Sequence, residues 1–274
     1  MTRLDVRGVV LGVSTFGSAA DPAVLLVMGS AASMDWWEPE FCASLAAAGR
    51  YVIRYDHRDT GESVSYPPGR PGYVADDLFL DPLGVLDALD VARAHLVGLS
   101  MGGALAQLAA LHAPDRVRTL TLLSTSGGAG YPDLPPMGDF EPIQEPDWTD
   151  RAAVVDYQVA AQRQLASPTR PFDEAPIREI AGREFDRTSS PASAVGNHHA
   201  AEGGKPWRAE LVRLTMPTLV LHGTEDPLFP LGHGEALASE IPNARLVVLP
   251  HTGHEFPREN WPVVLRELVA HTAR

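Results

Sequence analysis

Gly98-Leu99-Ser100-Met101-Gly102 spells G-x-S-x-G, and the flanking residues make Ser100 a candidate nucleophile. Ala94-His95-Leu96-Val97 is an apolar run suited to a buried parallel strand, and Gly103 to His112 reads as a helix rich in Ala and Leu. A strand-to-helix turn this tight admits only small residues at both glycine positions and lifts the serine oxygen clear of the backbone. The oxygen then lies at a helix N-terminus, whose dipole favours developing negative charge.

A serine hydroxyl is a weak nucleophile at neutral pH and needs a base, usually a histidine oriented by a carboxylate. On an open parallel sheet these groups belong on loops beyond the carboxyl ends of strands. Asp226 qualifies, in His222-Gly223-Thr224-Glu225-Asp226-Pro227 after the apolar run Thr218 to Leu221, with Glu225 as its neighbouring rival. His254 follows the run Arg245 to Leu249, and Gly253 before it gives the loop freedom to carry the ring back over the serine. His251, His222 and His233 are the alternatives. The chain order serine, acid, histidine selects Asp226 and His254 as catalytic partners of Ser100.

Acyl transfer also needs donors for the oxyanion. The backbone N–H of Met101 is one, and the loop Met28-Gly29-Ser30-Ala31-Ala32-Ser33 offers Ser30 N–H as the second. Gly29 and Trp36 are the candidate substrate contacts, while core packing is expected of Trp37. His198 and His199 have no carboxylate or cysteine at ligand spacing, so no metal is expected there.

These residues must be positioned by a regular frame. Arg3 to Phe16 alternates around Gly8 as two antiparallel strands. Ala23 to Met28 and Tyr51 to Tyr55 are buried strands. Trp37, Phe41 and Leu45 recur at helical spacing in a helix closed by Gly49. Val74 to Leu89 is helical, with an interruption expected at Pro82. Arg118 to Leu123 is a strand, Gly234 to Glu240 a helix, and a final helix carries Trp261, Val264, Leu265, Leu268 and Val269 on one face. Strands alternating with helices imply an α/β fold with a mostly parallel sheet covered on both faces. Between Gly127 and Glu210 the strand pattern stops, prolines accumulate and a helix is expected over Thr149 to Leu165. Residues 127–210 therefore read as an inserted helical lid on a core of residues 1–126 and 211–274. Trp148, Tyr157, Leu165, Phe172, Ile177, Ile180 and Phe185 give this segment enough apolar surface to pack.

Composition narrows the function classes. A chain of 274 residues with 45% apolar content forms one large soluble core. Its net charge of −13 and single lysine, Lys205, argue against a nucleic-acid or anionic-membrane surface. Cys42, the sole cysteine, excludes an intrachain disulfide and reads as a small buried hydrophobe. The N-terminus enters strand-like sequence without an apolar signal core, so a cytoplasmic location is expected.

With these residues in hand, the chain resembles the serine hydrolases of the α/β-hydrolase superfamily over nearly its whole length. The resemblance rests on Gly98 to Gly103, His222 to Pro230 and Gly253-His254, with Tyr55-Asp56-His57-Arg58-Asp59-Thr60-Gly61-Glu62-Ser63 similar to the family's D-x-R-G-x-G-x-S loop. Asp59 stands where glycine is usual. That departure, together with Val27-Met28-Gly29 in place of the common His-Gly, is similar to the aclacinomycin methylesterase group. The resemblance implies a carboxylic ester hydrolase acting on a small-molecule ester without cofactor or metal. Ser100 is incompatible with the aspartate-nucleophile branches. Carbon–carbon bond hydrolysis, cofactor-free perhydrolysis and a non-catalytic binding protein of the same fold stay open at this point.

Overall fold

The computed structural model of the chain describes residues 1–128 and 131–273. Residues 129 and 130, within the expected insertion, and Arg274 lie outside the described residues.

Strands β1 (Thr2–Val6) and β2 (Val9–Phe16) form an antiparallel hairpin. Its two-residue turn uses left-handed backbone at Arg7 (φ 54°) and Gly8 (φ 83°), the geometry that matches strand twist. Strands β3 (Ala23–Val27), β4 (Tyr51–Tyr55), β5 (Ala94–Leu99), β6 (Val117–Leu123), β7 (Thr218–Gly223) and β8 (Ala244–Leu249) are parallel to one another, and β2 joins β4 antiparallel. The order across the sheet is β1-β2-β4-β3-β5-β6-β7-β8. From β3 the chain steps outward to β4 and then returns to the other side as β5. That reversal opens a crevice at the carboxyl ends of β3 and β5, where open α/β sheets bind ligands.

The period-2 pattern of the strands divides the core. On β3, Leu25 and Val27 face one apolar layer and Val24 and Leu26 the other. The first layer is closed by α2 (Ala75–Ala88), α3 (Met101–His112) and α7 (Gly232–Glu240) through Leu78, Leu86, Leu105, Ala109 and Leu237. The second is closed by α1 (Pro39–Ala47) and α8 (Trp261–His271) through Phe41, Leu45, Val264 and Leu268. Both helical layers exist because the central strands β3, β5 and β7 are buried along their whole length, on both faces. Cys42 is fully buried here, and burial pushes its thiol up to about 12.

Two local expectations are corrected. Pro82 does not interrupt α2, which runs unbroken from Ala75 to Ala88. The missing hydrogen bond is outweighed by the burial of Leu78, Leu83, Val85 and Leu86 around that turn. Trp37 precedes its helix instead of opening it. Pro39 occupies the first helical turn, and the residue before a proline is driven to extended backbone, as Glu38 shows with ψ 145°. Trp37 stays fully buried, stacked on Phe41 at 5.8 Å.

Between β6 and β7 the described residues form three longer helices and no strand: α4 (Arg151–Leu165), α5 (Glu174–Arg187) and α6 (Pro191–Ala200). Each begins on a side-chain cap, from Asp150 to Ala152 N–H (2.9 Å), Asp173 to Ala175 N–H (3.3 Å) and Ser190 to Ser193 N–H (3.4 Å). Val155, Val159 and Ala181 form a small core of their own between α4 and α5, with Phe172 and Ile177 against it.

The β5–α3 turn tolerates no added side chain. A Cβ on Gly98 would lie 2.6 Å from Gly103 N, and one on Gly102 would lie 2.6 Å from the Val27 carbonyl carbon. Both obstacles are backbone, which cannot rotate away. Gly102→Ala is therefore expected to destabilise the protein by about 3 kcal/mol or more, at the upper end of overpacking effects. Urea unfolding checks this, and a midpoint within error of wild type would contradict it.

Candidate functional site

Ser100 sits between β5 and α3 with φ 55° and ψ −122°, a conformation that side-chain-bearing residues rarely adopt. Its N–H donates to Leu123 O at 3.0 Å, and Thr125 Oγ1 donates to its carbonyl at 2.7 Å, so neighbouring β6 fixes the turn from both sides. The hydroxyl of Ser100 donates to His254 Nε2 at 2.8 Å, and His254 Nδ1–H donates to Asp226 Oδ2 at 2.9 Å. Asp226 follows β7, His254 follows β8, and all three meet above the carboxyl ends of the strands.

The other oxygen of Asp226 accepts from the N–H groups of Leu228 (2.9 Å) and Phe229 (2.8 Å). Burial pushes this carboxyl up, but the His254 hydrogen bond, the His254 and His222 rings and the Phe229 amide outweigh it, leaving the group below its ordinary range. Glu225, its neighbour, turns toward the insertion and accepts from Ser167 Oγ at 2.5 Å and Thr169 Oγ1 at 2.7 Å. Those hydroxyls and His251 hold Glu225 down to about 2. The rival histidines are committed elsewhere. His251 is exposed beside Glu225 at 3.1 Å, buried His222 donates to Phe229 O at 2.7 Å, and His233 donates to Pro135 O at 2.9 Å. Gly253 serves a purpose other than loop freedom. A Cβ there would lie 2.5 Å from Leu165 O and from Ser167 N, so glycine lets the end of α4 approach, and His254 N–H donates to Leu165 O at 2.8 Å.

Met101 opens α3, so its N–H is among those a helix leaves without an internal acceptor. Across from it, Gly29 brings the β3 loop close to the nucleophile, since a Cβ on Gly29 would stand 3.3 Å from Ser100 Cβ. Ser30 follows, and Ala31 takes left-handed backbone (φ 59°). Several anchors of this loop were not foreseen from sequence. His57 Nε2–H donates to Met28 O at 2.8 Å. His198 Nδ1 accepts from Ala31 N–H at 3.0 Å while its Nε2–H donates to Arg58 O at 2.9 Å. Ser30 Oγ lies 3.2 Å from His199 Nε2. Burial lowers both His57 and His198 to about 4, so their neutral tautomers persist at neutral pH. With both ring nitrogens of His198 engaged by backbone, the His198-His199 pair is a brace for the loop. Among the described residues no group of three or more His, Cys, Asp or Glu is placed to hold a metal ion.

Asp59, at the position where glycine is usual in the similar loop, has φ 69°. Asp is among the few side chains that tolerate this region. Its carboxylate accepts from Tyr66 N–H (2.6 Å), Tyr73 Oη (2.7 Å) and Asn197 Nδ2 (3.0 Å), tying α6 to the core.

Ser100 and His254 face a cavity of about 670 Å³. Its wall combines Met28, Gly29, Trp36, Leu105 and Phe229 of the sheet-and-helix frame with Leu165, Phe172, Ile177 and Ile180 of the insertion. Phe229 packs edge-on to the His254 ring at 5.6 Å. Two carboxylates on the wall are paired: Glu38 with Arg258 and Glu255 with Arg170. A serine hydroxyl hydrogen-bonded to an imidazole, which is itself hydrogen-bonded to a carboxylate, stands beside an apolar chamber, an arrangement that can support acyl transfer.

A family model described as the alpha/beta hydrolase fold matches residues 22–260. The rhodomycin D methylesterase DauP of Streptomyces sp. (strain C5) is 34% identical over 276 aligned positions, covering 93% of this chain and 92% of that protein. The rhodomycin D methylesterase DnrP of Streptomyces peucetius is 33% identical with the same coverage. Among solved structures, the enol-lactonase from Burkholderia xenovorans LB400 superposes with a TM-score of 0.79 at 24% identity, covering 100% of both chains. No described helix is long and apolar enough to cross a membrane.

The geometry separates the rival residues experimentally. His254→Ala and Asp226→Asn are expected to lower kcat for any ester turned over by at least 10³-fold, whereas His251→Ala and Glu225→Gln should retain activity within about tenfold. A crippled Glu225→Gln beside an active Asp226→Asn would reassign the acid.

Proposed function

The chain belongs to the alpha/beta hydrolase family, and from that premise we propose that it hydrolyses carboxylic esters through an acyl-enzyme on Ser100. The observation that carries this reading is the unbroken hydrogen-bond chain Ser100–His254–Asp226 opening onto the apolar cavity. Ser100 Oγ attacks the ester carbonyl as His254 Nε2 takes its proton. The oxyanion forms between Met101 N–H and Ser30 N–H, and His254 then returns the proton to the departing alcohol. Asp226 orients the imidazole and stabilises its cationic form. Water, deprotonated by the same histidine, attacks the acyl carbon and releases the acid and the free serine.

Residues 127–210 act as a lid in this reading, supplying much of the wall above Ser100. A cavity of about 670 Å³ suits a small- to medium-sized ester with an apolar acyl part of substantial bulk. Kinship with two methylesterases favours a methyl ester as the scissile group. Each methylene buried against this wall contributes about 0.8 kcal/mol. The surplus of carboxylates, with Asp76, Asp173 and Glu259 also on the wall, disfavours anionic substrates and so favours uncharged esters over carboxylate-bearing ones.

Two measurements test this. A fluorophosphonate should add one label per chain at Ser100, and Ser100→Ala should lose nearly all hydrolysis of methyl and p-nitrophenyl esters; labelling elsewhere overturns the mechanism. Separately, kcat/KM for a neutral ester should exceed that of its carboxylate-bearing analogue, and the gap should narrow at high salt. Equal values at both ionic strengths would remove the charge argument for the cavity wall.

A further inference from the structure

Glu184 is a carboxylate on α5, only 5% exposed and remote from the hydrogen-bond chain of Ser100. Both of its oxygens are used. Oε1 accepts from Ser33 N–H at 2.5 Å and Oε2 accepts from the Trp36 indole N–H at 3.1 Å. Ser33 ends the loop that carries Gly29 and Ser30, and Trp36 forms part of the cavity wall. One turn further along α5, Arg187 pairs with Asp35 and Asp56, so the helix face that presents Glu184 is clamped to the same stretch of chain. Asp56 also accepts from Met34 N–H at 2.9 Å.

Burying a carboxylate without a cation in contact is unfavourable, and burial raises Glu184 to about 7. What the site gains is an acceptor-only group facing two donors. A neutral amide cannot do this, because it turns a donor toward one of the two N–H groups, and a protonated acid does it less well, with one oxygen reduced to a weaker acceptor that carries a proton. The same loop is held at its other end by His198 of α6, through Ala31 N–H.

We infer that Glu184 is a positioning residue for ester hydrolysis: it fixes the Gly29–Ser33 loop so that Ser30 N–H points at the forming oxyanion, and it sets the Trp36 indole in the substrate wall. The inference rests on the ester-hydrolase reading above. It makes the inserted helices part of the catalytic geometry as well as a cover. Because oxyanion stabilisation is realised in the transition state, losing this support lowers kcat more than it raises KM.

The test is Glu184→Gln, read at pH 8.5, where the wild-type carboxylate is ionised. The isosteric amide should lower kcat for a methyl or p-nitrophenyl ester by 10- to 100-fold with KM within threefold, and slow fluorophosphonate labelling of Ser100 by a similar factor. The Trp36 indole N–H resonance, assigned by its absence in Trp36→Phe, should move in the amide variant. In the Trp36→Phe background one donor is gone, so a glutamine can accept from Ser33 N–H without conflict, and Glu184→Gln should then cost less than threefold in kcat. Wild-type kcat in Glu184→Gln, or equal losses in the two backgrounds, would overturn the role of Glu184. A loss that merely tracks the unfolded fraction in a thermal melt would do the same. Absence of labelling at Ser100 in wild type would overturn the ester-hydrolase reading itself, a distinct outcome.

Discussion

A serine held at φ 55° and ψ −122° costs about 1–3 kcal/mol relative to relaxed backbone, and this chain keeps it there by clearing side chains from around it. Gly98 and Gly102 let the turn close on itself and on β3, while Gly103 makes room for Thr125, whose hydroxyl holds the serine carbonyl. These contacts exist only because β3, β5 and β6 lie side by side and in parallel register. The strain is thus carried by the most buried part of the sheet, where large apolar layers on both faces resist relaxation.

Around that fixed point the remaining groups are placed by buried polar contacts that pair distant segments. His57 grips Met28, Asp226 is steadied by two amides of its own loop, and His254 is tied through its backbone to the end of α4. The helices between β6 and β7 contribute Glu184, Arg187, Asn197 and His198 to polar contacts with the frame. Several of these carry charge or a titratable ring into low dielectric, which is tolerable only where partners are already in place.

The frame was legible in sequence because its signals are local. Apolar runs such as Ala23–Val27 and Thr218–Leu221 announce buried parallel strands, and glycine on both sides of Ser100 announces the turn. Asp226 was separable from Glu225 only by the layout of the motif, and the structure shows the physical difference: Glu225 is consumed by Ser167 and Thr169. Glu184, His57 and His198 carried no signal, since a glutamate inside an amphipathic helix looks solvent-facing until its partners at Ser33 and Trp36 are known. The start of α1 and the continuity of α2 were misjudged for a related reason. Proline is a backbone effect readable from sequence, but its outcome depends on how much apolar surface the neighbouring turn buries, and that is tertiary information.

The braces on the Gly29–Ser33 loop also set an order in time. Ala31 and Ser33 are bonded to residues 167 and 151 positions further along the chain. During synthesis β3 and its loop emerge long before α5 and α6 exist, and His254 comes later still. Such distant pairings close slowly, since the intervening chain must be ordered first. A nascent or truncated chain that already contains Ser100 therefore carries an ordinary, unactivated hydroxyl. Competence arrives as one of the last events of folding, when the insertion docks and the C-terminal strand delivers its histidine.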